Sequence, residues 1–161
     1  MCDYSLTCIP NRLAQAGEEL VVHRFNTGAL GMASRDDVTK RRDEIRRMGF
    51  WPRFKRLCEV PFTPYQPDHR VPAVCVPPGA RLQLRDLGAK FQREYGCTEV
   101  EEVVFTQTSA DANTFRDAVV FGNGAVVLLQ RLKEGQRVRI LFLSRNEDVE
   151  PAPLNVCSAG D

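Results

Sequence analysis

Residues 116–143, RDAVVFGNGAVVLLQRLKEGQRVRILFL, decide the fold class of this chain. They read as three consecutive antiparallel strands. Asn123-Gly124 is a strong hairpin signal, because a type I′ turn needs positive φ at both central residues and these two types tolerate it best. Residues 118–121 lead into that turn and residues 126–130 leave it. Lys133-Glu134-Gly135-Gln136 supplies the next turn. Val138, Ile140 and Phe142 then alternate with Arg137, Arg139 and Leu141, the period of a half-buried strand. Residues 126–129 are apolar on both faces, so they are expected to form the central, doubly covered strand.

Upstream the same alternation recurs. Cys2, Tyr4, Leu6 and Cys8 share one face of a strand over residues 2–9, and residues 19–25, 73–76, 81–85 and 100–106 are further strands. Residues 29–33 are a short apolar piece between turns. Ser34 and Asp37 approximate a capping box for a helix whose Val38, Ile45 and Met48 make a thin apolar stripe closed by Gly49. Pro52 suits the first turn of a second short helix. Asp86 can cap another, in which Leu87, Phe91 and Tyr95 recur every four residues before Gly96. Prolines crowd residues 61–78, which makes that segment an extended strap. No internal repeat is visible. The expected class is mostly β (α+β): a small antiparallel barrel or two-layer sandwich over residues 1–143. It carries a helical insertion at 35–58, a Pro-rich strap at 59–78 and a disordered acidic tail at 144–161.

A chain of 161 residues, 43% hydrophobic and 27% charged, suits one soluble domain with a real core. The net charge of +1 gives no global field for nucleic acid or membrane. Locally the balance breaks. Residues 35–56 hold nine bases and four acids, an excess of +5, so the remainder carries −4. No apolar run approaches the ~20 residues of a membrane span, and no basic lead with a long apolar stretch marks secretion, so the cytoplasm is the expected compartment. Six cysteines, at 2, 8, 58, 75, 97 and 157, show no C-x-x-C spacing, and free, mostly buried thiols are expected.

Three segments, MCDYSL at 1–6, AVCVPPGARLQL at 73–84 and FRDAVVFGNGAVVLLQRLKEGQRVRILFL at 115–143, belong together in another way. They resemble a group of short bacterial proteins that open with the same MCDYSL and close with a similar hairpin followed by L-x-E-G-Q. The resemblance covers the β-rich parts and leaves residues 35–70 as an insertion. It implies a fold and no activity. Members of the group carry histidines just before the hairpin, where this chain reads Thr114-Phe115-Arg116-Asp117, so no metal or acid–base role carries over there.

The candidate chemistry is sparse. Cys2 becomes an N-terminal nucleophile if Met1 is removed, its amine serving as base, although strand parity sets it among core residues. Zinc ligands usually include a pair two to four residues apart, which this chain lacks; Cys58, His69 and Cys75 around the strap are the conceivable set. Gly122-Asn123-Gly124 and Pro78-Gly79 are turns without phosphate-loop spacing, and no cofactor is expected. The basic aromatic run KRRDEIRRMGFWPRFKRL is the best argument for a partner. Arg42, Arg46, Arg47, Trp51, Arg53 and Lys55 can meet an acidic protein surface or hold phosphates and stack bases. Asp43 and Glu44 interrupt the run, as in a solvated helix with pairs such as Asp43–Arg47. The expectation is a non-catalytic binding or accessory protein that uses this insertion.

Overall fold

A computed structural model of the chain describes Leu6 and residues 9–47, 71–109, 111 and 114–143. The described strands are β1 Asn11–Leu13, β2 Glu19–Arg24, β3 Leu30–Ser34, β4 Ala73–Cys75, β5 Arg81–Arg85, β6 Glu101–Gln107, β7 Asp117–Phe121, β8 Val126–Leu128 and β9 Arg137–Phe142. They form one sheet in the order β1-β4-β3-β2-β9-β5-β6-β7-β8. Every pair is antiparallel except β1 with β4. Two helices, α1 Arg35–Arg47 and α2 Ala89–Tyr95, and one 3-10 turn complete the described elements. The class is the mostly β one expected. The second helix near Pro52, residues 59–70 of the strap and the tail at 144–161 lie outside the described residues.

Inner-face residues from both halves of the strand order, among them Leu20, Met32, Leu82, Phe105, Val127 and Ile140, pack into one apolar cluster. The sheet therefore coils around its own core. No ladder among the described residues closes it. After β8 the chain makes a 3-10 turn, Leu129–Arg131, which brings Gln130 against β3. The Leu30 N–H donates to Gln130 Oε1 at 3.0 Å, and Gln130 Nε2 donates to the Leu30 carbonyl at 2.8 Å. One side-chain amide thus stands in for a neighbouring strand, satisfying both main-chain groups of a buried residue.

A second cluster, Leu6, Ile9, Phe25, Ala29, Ala33, Val71 and Ala73 with Val38 of α1, covers the outer side of β2, β3 and β4. Gly31 permits this closure, since a Cβ there would stand 2.6 Å from the Leu6 side chain. The outer side of the β5–β8 half carries no such layer among the described residues.

Several local expectations change. The three-stranded meander does not form, because β9 pairs with β2 and β5 and never meets β8. The 3-10 turn redirects the chain, and the following turn attaches to β2: the Gly135 N–H reaches the Val22 carbonyl at 2.7 Å, and the Val22 N–H reaches the Gln136 carbonyl at 2.9 Å. Residues 126–129 are accordingly not a central strand. β8 is the sheet edge, Val126 is 48% exposed, and Leu129 enters the core from the turn.

The Asn123-Gly124 hairpin exists, but with different geometry. The Phe121 N–H donates to the Ala125 carbonyl and the Gly124 N–H to the Phe121 carbonyl, both at 2.9 Å, and Gly124 (φ 86°) has positive φ while Asn123 does not. That is a three-residue loop ending in a left-handed glycine. Asn123 is engaged elsewhere: its Nδ2 donates to the Tyr95 carbonyl at 2.8 Å, and its Oδ1 accepts from the Ala125 N–H at 3.0 Å. The hairpin thereby caps the end of α2. The β2–β3 connection repeats the geometry, with Phe25, Gly28 and Ala29 bonded as Phe121, Gly124 and Ala125 are. Phe-Asn-Thr-Gly-Ala and Phe-Gly-Asn-Gly-Ala are thus a short structural repeat.

Phe142, expected inward with Val138 and Ile140, is 70% exposed. A bulge is the cause: Leu82 pairs with Ile140, but Arg81 pairs with Phe142, so parity flips after Ile140. Asp86 does not cap α2, whose N-cap is Gly88. It adopts a left-handed conformation (φ 63°) and grips Arg137 with both carboxylate oxygens. The strand expected over residues 2–9 lies largely outside the described residues. Where it is described, the Ile9 N–H bonds the Leu6 carbonyl at 3.0 Å, a turn rather than a strand.

Candidate functional site

α1 is thirteen residues long and rests on β2 and β3. Val38 packs into the outer cluster, Ile45 is half-buried, and Arg41 is buried with its guanidinium 3.3 Å from Glu44. These three residues fix which way the helix faces. At about 100° per residue, Arg35, Arg42 and Arg46 then fall within about 40° of one another, beside the buried face, over ~16 Å of helix axis. All three are exposed, and none makes an ion pair among the described residues. No acid shares their sector. Asp36 and Asp43 occupy the next one, with Lys40 and Arg47 beyond, while Asp37, Lys40, Arg41 and Glu44 line a cleft on the far flank.

The sequence reading of this helix is therefore refined in three respects. Arg42 and Arg46 lie together, Arg47 is exposed on a different side, and Trp51, Arg53 and Lys55 lie outside the described residues. Arg35 joins the stripe at a spacing of seven and eleven residues, a signal that becomes legible once Val38 and Ile45 identify the buried side. The expected Asp43–Arg47 pair does not form, as exposed partners gain little by meeting.

The remaining chemistry is structural in character. Cys75 is disulfide-bonded, against the expectation of free thiols, and a sulfur so engaged is no zinc ligand. Cys58 and His69, the other members of that candidate set, lie outside the described residues, as does Cys2. Cys97 is a free, partly buried thiol that burial and then the Glu101 carboxylate push above the ordinary range, which makes it a poor nucleophile. His23 sits edge-on to Phe25 with ring centroids 5.0 Å apart, and burial lowers its pKa against the pull of Glu134. Among the described residues no group of three or more His, Cys, Asp or Glu side chains could hold a metal ion. No helix among them is long and apolar enough to cross a membrane.

On the outer sheet surface, cations and anions are matched. Arg12 pairs with Glu18 and Arg137 with Asp86. Glu19 lies 3.6 Å from Arg85 and 3.8 Å from Arg139, and Arg81 lies 3.4 Å from Glu102. Arg35, Arg42 and Arg46 of α1 differ from all of these in having no ion-pair partner among the described residues. The L-x-E-G-Q segment is likewise architectural: Leu132 is buried, Gly135 has φ 83°, and the buried Gln136 amide donates to the Arg85 carbonyl. In comparisons with known proteins the chain matches no family model, no curated protein and no solved structure.

Proposed function

We propose that this protein is a non-catalytic binding protein that docks an acidic protein surface onto the Arg35–Arg42–Arg46 stripe of α1. One observation carries the reading: three exposed arginines share a sector free of acids, without ion-pair partners among the described residues. Arginine presents a planar fork that fits carboxylates two bonds at a time, so a stripe of three matches spaced Asp and Glu side chains. Nucleic acid fits less well. Asp36 and Asp43 border the stripe, and pressing the helix into a phosphate-lined groove would bring those carboxylates against phosphates. The Cys75 disulfide weighs against the cytoplasm expected from the sequence and favours an oxidising compartment, where such bonds persist.

The test is a R42E/R46E double reversal. Its thermal midpoint should stay close to wild type, because exposed charges contribute little. An acid-rich peptide, followed by fluorescence anisotropy, should bind the wild type and not the variant. Binding that survives the reversal removes α1 from consideration. If a DNA duplex binds instead, with affinity falling steeply as salt rises, nucleic acid replaces the acidic protein as the partner.

A further inference from the structure

The outer side of the β5–β8 half carries a pattern unrelated to α1. Phe142, Arg81, Val104, Val120 and Val126 are successive register partners on β9, β5, β6, β7 and β8. They form one straight row of about 19 Å at ~4.8 Å per strand. Phe142, Val126 and Val104 in it are 70%, 48% and 39% exposed. Alternation alone would have buried Phe142; the bulge before it re-aims the ring into this row. The adjoining row reads Arg139, Gln83 and Glu102 on β9, β5 and β6.

About β5 these two rows are self-complementary. One strand to one side stand a cation and Phe142; one strand to the other stand an anion and Val104. We propose that this face docks a second copy of the chain about a two-fold axis running along β5. That rotation sets Arg139 of each copy opposite Glu102 of the other, and Phe142 of each opposite Val104 of the other. It leaves the strands of the two sheets aligned, the common packing of sheet on sheet. Arg81 meets its own copy at the axis, already neutralised by Glu102 at 3.4 Å. The patch is mixed in sign, Arg81 and Arg139 against Glu102 with Glu19 3.8 Å from Arg139, so it suits neither a purely acidic nor a purely basic partner. The row of five residues and the row of three make roughly 250 Å² per copy and about 500 Å² in all, below the size of a standard specific interface and suited to a weak, transient one. Dimers should therefore be weak and reversible, forming at about 100 μM to 1 mM.

Sedimentation velocity of the full chain across that range tests the proposal. The wild type should show a concentration-dependent monomer–dimer equilibrium. R139E alone and E102R alone should each weaken it by about tenfold or more, and R139E/E102R together should restore it to near wild type, as opposed charges fix register. F142S should weaken the dimer without lowering the thermal midpoint, which keeps the test informative if a charge variant folds poorly. A wild type that stays monomeric overturns the proposal and leaves the row to a partner of different sequence. A dimer indifferent to F142S and to both single reversals overturns this face. A folded double variant that stays monomeric overturns the two-fold along β5.

Discussion

Replacing Gln130 tests whether a side chain closes this sheet. Its amide makes two hydrogen bonds to Leu30, at 3.0 and 2.8 Å, and Leu30 is 3% exposed. Q130L keeps most of the volume and removes both partners, leaving one buried N–H and one buried C=O unsatisfied. Each such group costs about 1–3 kcal/mol. Water reaching one of them through the half-buried seam brings the expected loss to about 2–4 kcal/mol, a large share of the ~5–15 kcal/mol that holds a domain. With a urea m-value of about 1–3 kcal/mol/M, the unfolding midpoint should fall by about 1–2 M. Q130E separates the two bonds. Its carboxylate still accepts from the Leu30 N–H but cannot donate to the carbonyl until it is protonated, which raises its folded pKa above the unfolded value; its deficit relative to wild type at the same pH should therefore shrink as pH falls through that raised value and level off below about 4.3. A Q130L midpoint indistinguishable from wild type would refute the reasoning, for the seam would then hold without a bridge.

The Arg137 guanidinium, through its hydrogen bond, holds the Asp86 carboxyl below the ordinary carboxylate range. The contribution is therefore full above the unfolded carboxyl value and is lost as pH falls through the lower folded value; D86N, which tolerates the left-handed backbone, should show a shallower loss of urea midpoint on acidification. Unfolded but unreduced protein should titrate with no more than four thiols out of six cysteines, since Cys75 is disulfide-bonded; six thiols would mean that the bond does not form in solution.

What was legible in the sequence was local. Alternation located β2, β5, β6, β7 and β9, and turn chemistry located both glycine-ended hairpins and the left-handed Gly96 that ends α2. Strand partners were not legible, because pairing is decided by the coiled sheet as a whole. The apolar run at 126–129 looks central since both faces carry valine and leucine, yet one face opens at the edge. Phe142 fits perfect alternation until a single bulged residue inverts it, and nothing local announces that bulge. At α1 the arginines were visible and their grouping was not. Charge counting sees a mixed-sign helix, whereas Val38, Ile45 and Arg41 resting on the sheet leave Arg35, Arg42 and Arg46 as a separate stripe.

The place of β9 between β2 and β5 bears on how the chain is made. A ribosome delivers the eight other strands first, as two four-stranded pieces, β1-β4-β3-β2 and β5-β6-β7-β8, that have no ladder in common. Until residues 137–142 emerge, each piece presents a bare edge, at β2 and at β5, and one side of an apolar cluster without its counterpart. Nascent chains in that condition invite strand addition from their neighbours. A stop codon between residues 129 and 136 would leave no smaller version of this protein, only two sheets with no strand to join them.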